Sequence, residues 1–489
     1  MKFTEHSLTV SAHQFPTTQQ LLVSGGDARI VLDPHSGLNK YGCRPYPDPQ
    51  MLALGSSTAS VISAASFAAV GKLRDRLLHE LDSAPPAAVY AREMQRVRTE
   101  LLCDLTDMDI ELVFATSGTD AHFVAARHIA YASGTPLRVV MVEEAETGSG
   151  VAEALGGQDF RVNTLAGSSR NGGRFDAIEV LSVPLRAADG TTRAAEHIDA
   201  DVVALVNEAV AQGRRVLLVM VDQSKTGLIA PSPACVAELH HLHPAYLDIL
   251  VDACQFRIAP PTLRAYLQQG FMVALTGSKF FTGPSFSGAL LFPASMGQRL
   301  KIPTGDDIGV ANFGLLLRWE AALVELRRFR AVPESEVVRF MEAFEQAVQQ
   351  RLIHDTHFEA LEVPSLKRQP FITQQSWDHV QSIFPFLLYR SETAAGRIPL
   401  NRDQTLQIYR QLPVEGAAAL RCQLGQPVAC GTREGIPVSA LRLCISARLI
   451  ADANGEKGIA GVIEEAWAAL DKTAWLIDRI NDEQAVIRG

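Results

Sequence analysis

The stretch VALTGSKFFTGPSFSGALLF, residues 273–292, is an apolar run that stops at a turn of glycine, serine, threonine and lysine and then resumes as a second apolar run. Short apolar runs bounded by turn residues read as buried strands. The turn thus lies at a strand end, and Lys279 sits inside it. Such a place is poor for a solvated surface charge. A desolvated lysine has a depressed pKa, and its neutral amine can condense with an aldehyde. Taken alone, the position would read as an exposed loop lysine, so its surroundings decide.

Upstream, ILVDACQ at 249–255 puts Asp252 at the carboxyl end of another apolar run. In open α/β sheets that end borders the crevice where ligands bind. A carboxylate there can keep a pyridine-type nitrogen protonated; alone, it reads as a cap of the next helix. Further upstream, ELVFATSGTDAHFVAARHIA at 111–130 reads as strand, Ser-Gly-Thr turn and helix, opening at Ser117. The N–H groups of Gly118 and Thr119 and the Thr119 hydroxyl then face a helix N-terminus, where anions settle. Serine and threonine also cap many helices that bind nothing. One ligand suits all three places, with a phosphate at 117–119, a pyridinium at Asp252 and an aldehyde at Lys279. That ligand is pyridoxal 5′-phosphate (PLP).

The same reading extends to the fold. Short β-branched or apolar runs at 110–114, 137–142, 178–185, 216–221, 249–252, 272–276 and 288–292 alternate with stretches of helical spacing. Buried runs separated by helices predict an α/β architecture, a mostly parallel seven-stranded-type sheet sandwiched by helices. Two helices are predicted between Ala64 and Leu105, interrupted by Pro85-Pro86. Residues 1–65, turn-rich and with prolines at 45, 47 and 49, read as an extended N-terminal arm packing with a small domain. Residues 66–332 form the large cofactor domain. Residues 333–489, with the amphipathic VVRFMEAFEQAVQQRL and the later ALRLCISARLI, read as a smaller α+β domain. The AGSSRNGGR loop at 166–174 receives no function, and no repeat or low-complexity tract is found.

Bulk properties narrow the partners. At 489 residues, 47% hydrophobic and 20% charged, the chain can bury a large core in two or more folding units. A net charge of −9 without a basic cluster argues against nucleic acid. Seven scattered cysteines form no CxxC pair and no zinc-ligand spacing, so no metal and a reduced, cytoplasmic setting are expected. Neither a leader-like start nor an apolar run of membrane-spanning length is present in the sequence, so no membrane partner is expected.

The order and wording TSGTDA, VDQSKTG, VDACQ and TGSKFFTGPSFSGALL resembles fold-type I PLP enzymes, on the class V aminotransferase and cysteine desulfurase branch. The resemblance covers about residues 60–325 and implies an aspartate-aminotransferase-like fold with Lys279 holding PLP as a Schiff base. It implies that Gln255 bonds the cofactor's phenolic oxygen, that Ser224 lies beside the ring, and that Thr276 and Ser278 join the phosphate cup. Arg442 matches the strand arginine that grips a substrate α-carboxylate through a bidentate pair; Arg448 competes for that role. A homodimer with interface active sites is also implied.

Three departures bear on the reaction. Where relatives carry a ring that stacks on the cofactor, this chain reads EEAETGSGV at 143–151, so Glu146, Thr147 or Ser149 lines that face or an aromatic comes from elsewhere. The family's Gly-Thr-x-Asn reads Gly309-Val310-Ala311-Asn312, without the hydroxyl. The arm and the 160–175 insertion exceed the usual frame. Cys430 lies near where some desulfurases carry a persulfide cysteine, yet LGQPVACG reads as a strand.

The expected activity is amino-group transfer on an amino acid, which needs only the proton shuttle a lysine supplies. The alternatives are a PLP-dependent lyase or carbon–carbon bond-forming enzyme, then a desulfurase using Cys430. A non-enzymatic α/β small-molecule-binding protein is the alternative of another class. A Rossmann-type nucleotide binder on the same scaffold is a further alternative; against a dinucleotide site no GxGxxG follows the first strand, and against a P-loop site no GxxxxGK[ST] occurs.

Overall fold

The computed structural model describes residues 15–158, 178–300, 311–393, 396–414 and 420–488. The AGSSRNGGR loop and the Gly309-Val310 pair lie outside the described residues. Seven strands build the large sheet: β1 Ile110–Ala115, β2 Leu137–Val142, β3 Ile178–Val183, β4 Arg215–Asp222, β5 Leu247–Asp252, β6 Met272–Thr276 and β7 Gly288–Pro293. Their order is β1-β7-β6-β5-β4-β2-β3, with the two-residue strand Ile229–Ala230 paired to the end of β4. β2 to β6 pair in parallel. β7 runs antiparallel to both β1 and β6.

Strands β2, β5 and β6 are buried along their whole length. Helices cover both faces of such a sheet, which explains why these strands are written as unbroken apolar runs rather than alternations. One core cluster fills one face and continues into the C-terminal region, and a second, including Met141, Leu217, Leu250 and Met272, fills the other. The two expected helices are Ala64–Glu80 and Pro86–Leu101, the second opening on a proline at its first turn, where no N–H is needed.

After helix Glu334–His354 comes an antiparallel sheet in the order Phe358–Ala360, Ile383–Thr393, Ile436–Cys444, Gly425–Arg433, with Gly396–Pro399 alongside. Helix Gly458–Arg488 closes the chain's described part. Among the described residues no helix is long and apolar enough to cross a membrane.

The N-terminal arm departs from the extended form expected of it. It holds a helix, Thr18–Leu22, and a strand, Met51–Ala53, that pairs in parallel with Arg421–Gln423. The cause is tertiary: the buried Arg318 guanidinium donates to the carbonyls of Leu22, Ser24 and Gly25, and to that of Phe286 at 2.7 Å. A turn-rich text thus becomes a fixed strap.

Candidate active site

The carboxyl ends of β1, β2, β4, β5 and β6 and the start of β7 meet at one edge of the sheet. There lies a cavity with about 1110 Å³ of empty space, its open mouth included. Its wall brings together the residues that the sequence assigned to the cofactor, and Arg442 with them. Ser117, Gly118 and Thr119 follow β1, Thr147 follows β2 and Ser224 follows β4. Asp252 ends β5 and Gln255 follows it; Thr276 ends β6, with Ser278 and Lys279 beyond. Arg442 reaches in from the C-terminal sheet.

Lys279 is half-buried, and its amine makes no hydrogen bond among the described residues. Its turn is fixed by backbone bonds, Gly277 N–H to Ser287 O and Gly283 N–H to Gly277 O, each 2.9 Å. A Cβ on Gly277 or Gly283 would meet the Ala322 Cβ at 2.7 or 2.8 Å, so helix Phe313–Arg330 packs here only against glycine. Two non-glycine residues of the cavity wall, Gln223 and Phe286, take left-handed backbone with φ of 62 and 75°, as do Phe256 after Gln255 and Thr282 after the Lys279 turn, at 54 and 50°. Such strain, on the order of 1 kcal/mol or more each, gathers where the fold over-determines a site.

Asp252 is buried with His122, whose Nε2 lies 3.3 Å from Oδ2. The imidazole Nδ1 lies 2.7 Å from the Gly118 carbonyl, which can only accept, so Nδ1 carries a proton. With a carboxylate facing Nε2, the doubly protonated ring is favoured. Burial opposes both charges, and each overrides it for the other: His122 is raised above its ordinary value. Asp252, with Lys279 also acting on it, is held well below the usual carboxylate range. His122 was not singled out in the sequence. Its signal was present, one helical turn past Gly118 and hence on the same face.

Hydroxyls at the expected anion site are partly committed. Ser117 caps its helix by accepting the Asp120 N–H and donates to the Asp120 carboxylate at 2.8 Å, as Thr116 also does. Thr276 donates to the Cys254 carbonyl at 2.7 Å. By contrast, the N–H groups of Gly118 and Thr119 have no partner among the described residues. Gly118 is required there, since a Cβ would lie 2.8 Å from Cys254 Sγ. Arg29, from the arm, donates to Thr119 Oγ1 at 3.3 Å and lies over the Phe286 ring.

The EEAETGSGV segment resolves into two roles. Glu146 is buried, paired with Arg186 at 3.0 Å and accepting from Ser224 and Thr226. The Ser224 hydroxyl, expected beside a cofactor ring, is therefore turned onto a carboxylate. Thr147 is 4% exposed and its hydroxyl has no partner among the described residues, while Ser149 lines the mouth. Aromatic rings reach the cavity from elsewhere, as Tyr41 and Phe286.

Gln255 lines the cavity and donates one amide N–H to Ser57 O at 3.2 Å. The two competing arginines separate. Arg442 is 1% exposed and donates to Thr58 Oγ1 at 2.9 Å and to the carbonyls of Lys225 and Gln426. Among the described residues no carboxylate pairs with it, and burial pulls its guanidinium below its ordinary value. Arg448 is paired with Glu325 at 3.3 Å and lies outside the cavity wall. Cys430 is fully buried in strand Gly425–Arg433, burial raises its thiol, and it too is absent from the wall. It lacks the exposure a persulfide carrier needs. Asn312 caps helix Phe313–Arg330 and donates to Gly25 O, a structural position. Beyond His122, the residues not singled out include Arg29, Tyr41 and Gln426, which reach the wall through tertiary contacts, and Lys225, which follows Ser224 in the turn after β4.

No protein-family model matches the chain, and no curated protein does. Solved structures do. TDC from Oryza sativa, with PLP and tryptamine, is 14% identical over 87% of this chain and 83% of its own, with a TM-score of 0.52. The glutamate decarboxylase domain of diaminobutyrate-pyruvate transaminase and L-2,4-diaminobutyrate decarboxylase from Vibrio parahaemolyticus is 16% identical over 88% and 81%, with a TM-score of 0.51. A NifS-like protein is 12% identical over 85% and 98%, with a TM-score of 0.52. The chain shares their fold. The α/β architecture expected from its motifs is borne out.

Proposed function

We propose that this chain is a PLP-dependent enzyme acting on the α-amino group of an amino acid. One observation carries the reading. A carboxylate held ionised by an imidazolium, a lysine without a hydrogen bond and two unused N–H groups at a helix N-terminus converge on one cavity wall. The solved TDC structure that shares the fold holds PLP, in agreement. The residues fit the group. Gly118 and Thr119 N–H, with Arg29 beside them, suit its phosphate; Asp252 suits its ring nitrogen; Lys279 suits its aldehyde. The buried Thr147 and Ser285 hydroxyls, without partners among the described residues, suit a polar ring or a substrate. When bound, PLP takes up the electrons released as a bond to the substrate α-carbon breaks.

This chain's residues do the rest. His122 keeps Asp252 charged and oriented. Lys279 moves the α-proton as acid and base. Arg442 takes the α-carboxylate, the one buried guanidinium on the wall lacking an anion among the described residues. With the α-carboxylate retained by Arg442, the α-proton is the group left for the Lys279 amine to move, and amino-group transfer needs only that shuttle. Amino-group transfer is the reaction this supports best. Decarboxylation is the second reading, since the Vibrio protein sharing the fold is a decarboxylase domain. A homodimer, with residues 66–332 and 333–489 as its two folding units, belongs to the same reading.

The experiment begins with colour. PLP-treated protein absorbs in the visible, and borohydride fixes PLP covalently on Lys279, located by peptide mass. Product analysis with candidate amino acids then separates keto acid from carbon dioxide. A protein that stays colourless with PLP ends the reading; carbon dioxide as the product replaces the first reaction by the second.

A further inference from the structure

Where the C-terminal sheet closes the cavity, positive charge exceeds what one amino-acid carboxylate can answer. Among the described residues Arg442 has no carboxylate partner, and its Nε has no hydrogen bond. Lys225 lies in the same wall and, among the described residues, gives its ammonium only to the Glu144 carbonyl, at 3.2 Å. The two are joined, since the Lys225 carbonyl accepts from Arg442 at 3.2 Å. Burial, with Arg442 and Lys279 nearby, pushes the Lys225 ammonium down to about 8, against the pull of Glu146 and Glu144. The buried acids of the wall are already engaged, Glu146 with Arg186 and Asp252 with His122. Buried charges are as a rule paired. A single α-carboxylate answers Arg442 and leaves Lys225.

We propose that the substrate carries a second acidic group on its side chain, bound by Lys225 while Arg442 holds the α-carboxylate. This rests on the reading of the cavity as an amino-acid site and narrows its substrate class. Lys225 follows Ser224 in the VDQSKTG turn, so the side chain that receives this acid is set by the turn after β4.

The test uses pairs that differ only in the second acid. The PLP-loaded protein is titrated with aspartate against asparagine and glutamate against glutamine, following visible absorbance. The acid of at least one pair binds at least about tenfold more tightly than its amide, as a charge-assisted bond requires. Lys225→Gln removes the preference while leaving the amide's affinity within about threefold, and Lys225→Arg restores it. Equal weakening of acid and amide by Lys225→Gln would mean that Lys225 and Arg442 share one carboxylate, and overturns the proposal. So does the absence of any preference in the unsubstituted protein, whatever the variant's folding. Calorimetric titration with glutarate against its monoamide reads the same wall without the cofactor. A protein that never colours with PLP yet prefers the diacid fails the cofactor reading and keeps the two-anion wall. One that colours and binds acid and amide alike fails here only.

Discussion

At the strand ends, Asp252 lies 3.3 Å from His122 and Glu146 lies 3.0 Å from Arg186; at the seam with the C-terminal sheet, Arg442 and Lys225 have no carboxylate among the described residues. The first region is buried, and the second sets a buried Arg442 beside a half-buried Lys225. The first has made its ion pairs within the protein, so it is finished before any ligand arrives. The second has supplied carbonyls and hydroxyls as partial substitutes and left net charge. Charge left without a carboxylate marks where a ligand's own anion is still to be supplied, whereas Asp252 meets its ligand already paired.

The largest effect expected is at Lys279, which belongs to neither region's pairs. Lys279→Ala loses the visible band and borohydride fixation and lowers turnover by at least about 10³-fold. Next comes a contrast that can break the comparison outright. Arg186→Met strands a buried Glu146 and costs about 3–5 kcal/mol in urea unfolding. Arg442→Met strands no acid and costs less than half as much. Equal losses would show that the seam is not charge-unbalanced. Smaller again, Arg442→Lys loses the bidentate fork and raises KM about tenfold or more with a lesser change in kcat.

The smallest effect is a pH dependence. Lys225 holds its proton less tightly folded, at about 8, than its ordinary value of 10.5. In that window the unfolded chain binds more protons, so stability rises with pH from about 8 to about 10.5. The protein should therefore gain on Lys225→Met across that range in urea midpoints, and a constant gap would refute the strain assigned to the ammonium.

Much of the scaffold was legible because its signals are local. Buried parallel strands are written as unbroken apolar runs, and the turns carrying Gly118 and Lys279 each lie within a few residues of a strand end. What stayed hidden depends on distance along the chain. Ser224 was placed beside a cofactor, but its hydroxyl answers Glu146, 78 residues away. The choice between Arg442 and Arg448 turned on Glu325, which neither sequence context displays. The arm was read as extended because the Arg318 clamp that folds it is nearly 300 residues downstream. His122 alone was within local reach, through its place one turn past Gly118.

The arm's docking has a consequence in time. Thr58 meets Arg442 across 384 residues, and Met51–Ala53 pairs with Arg421–Gln423. During synthesis the amino end leaves the ribosome first, and domains fold as their residues emerge. The β1 to β7 sheet can close on a nascent chain, but no chain that ends before Arg442 possesses the complete wall. The residues set around Asp252 and Lys279 are therefore all present once β7 has been made, whereas the part of the wall that Arg442 supplies is added about 150 residues later.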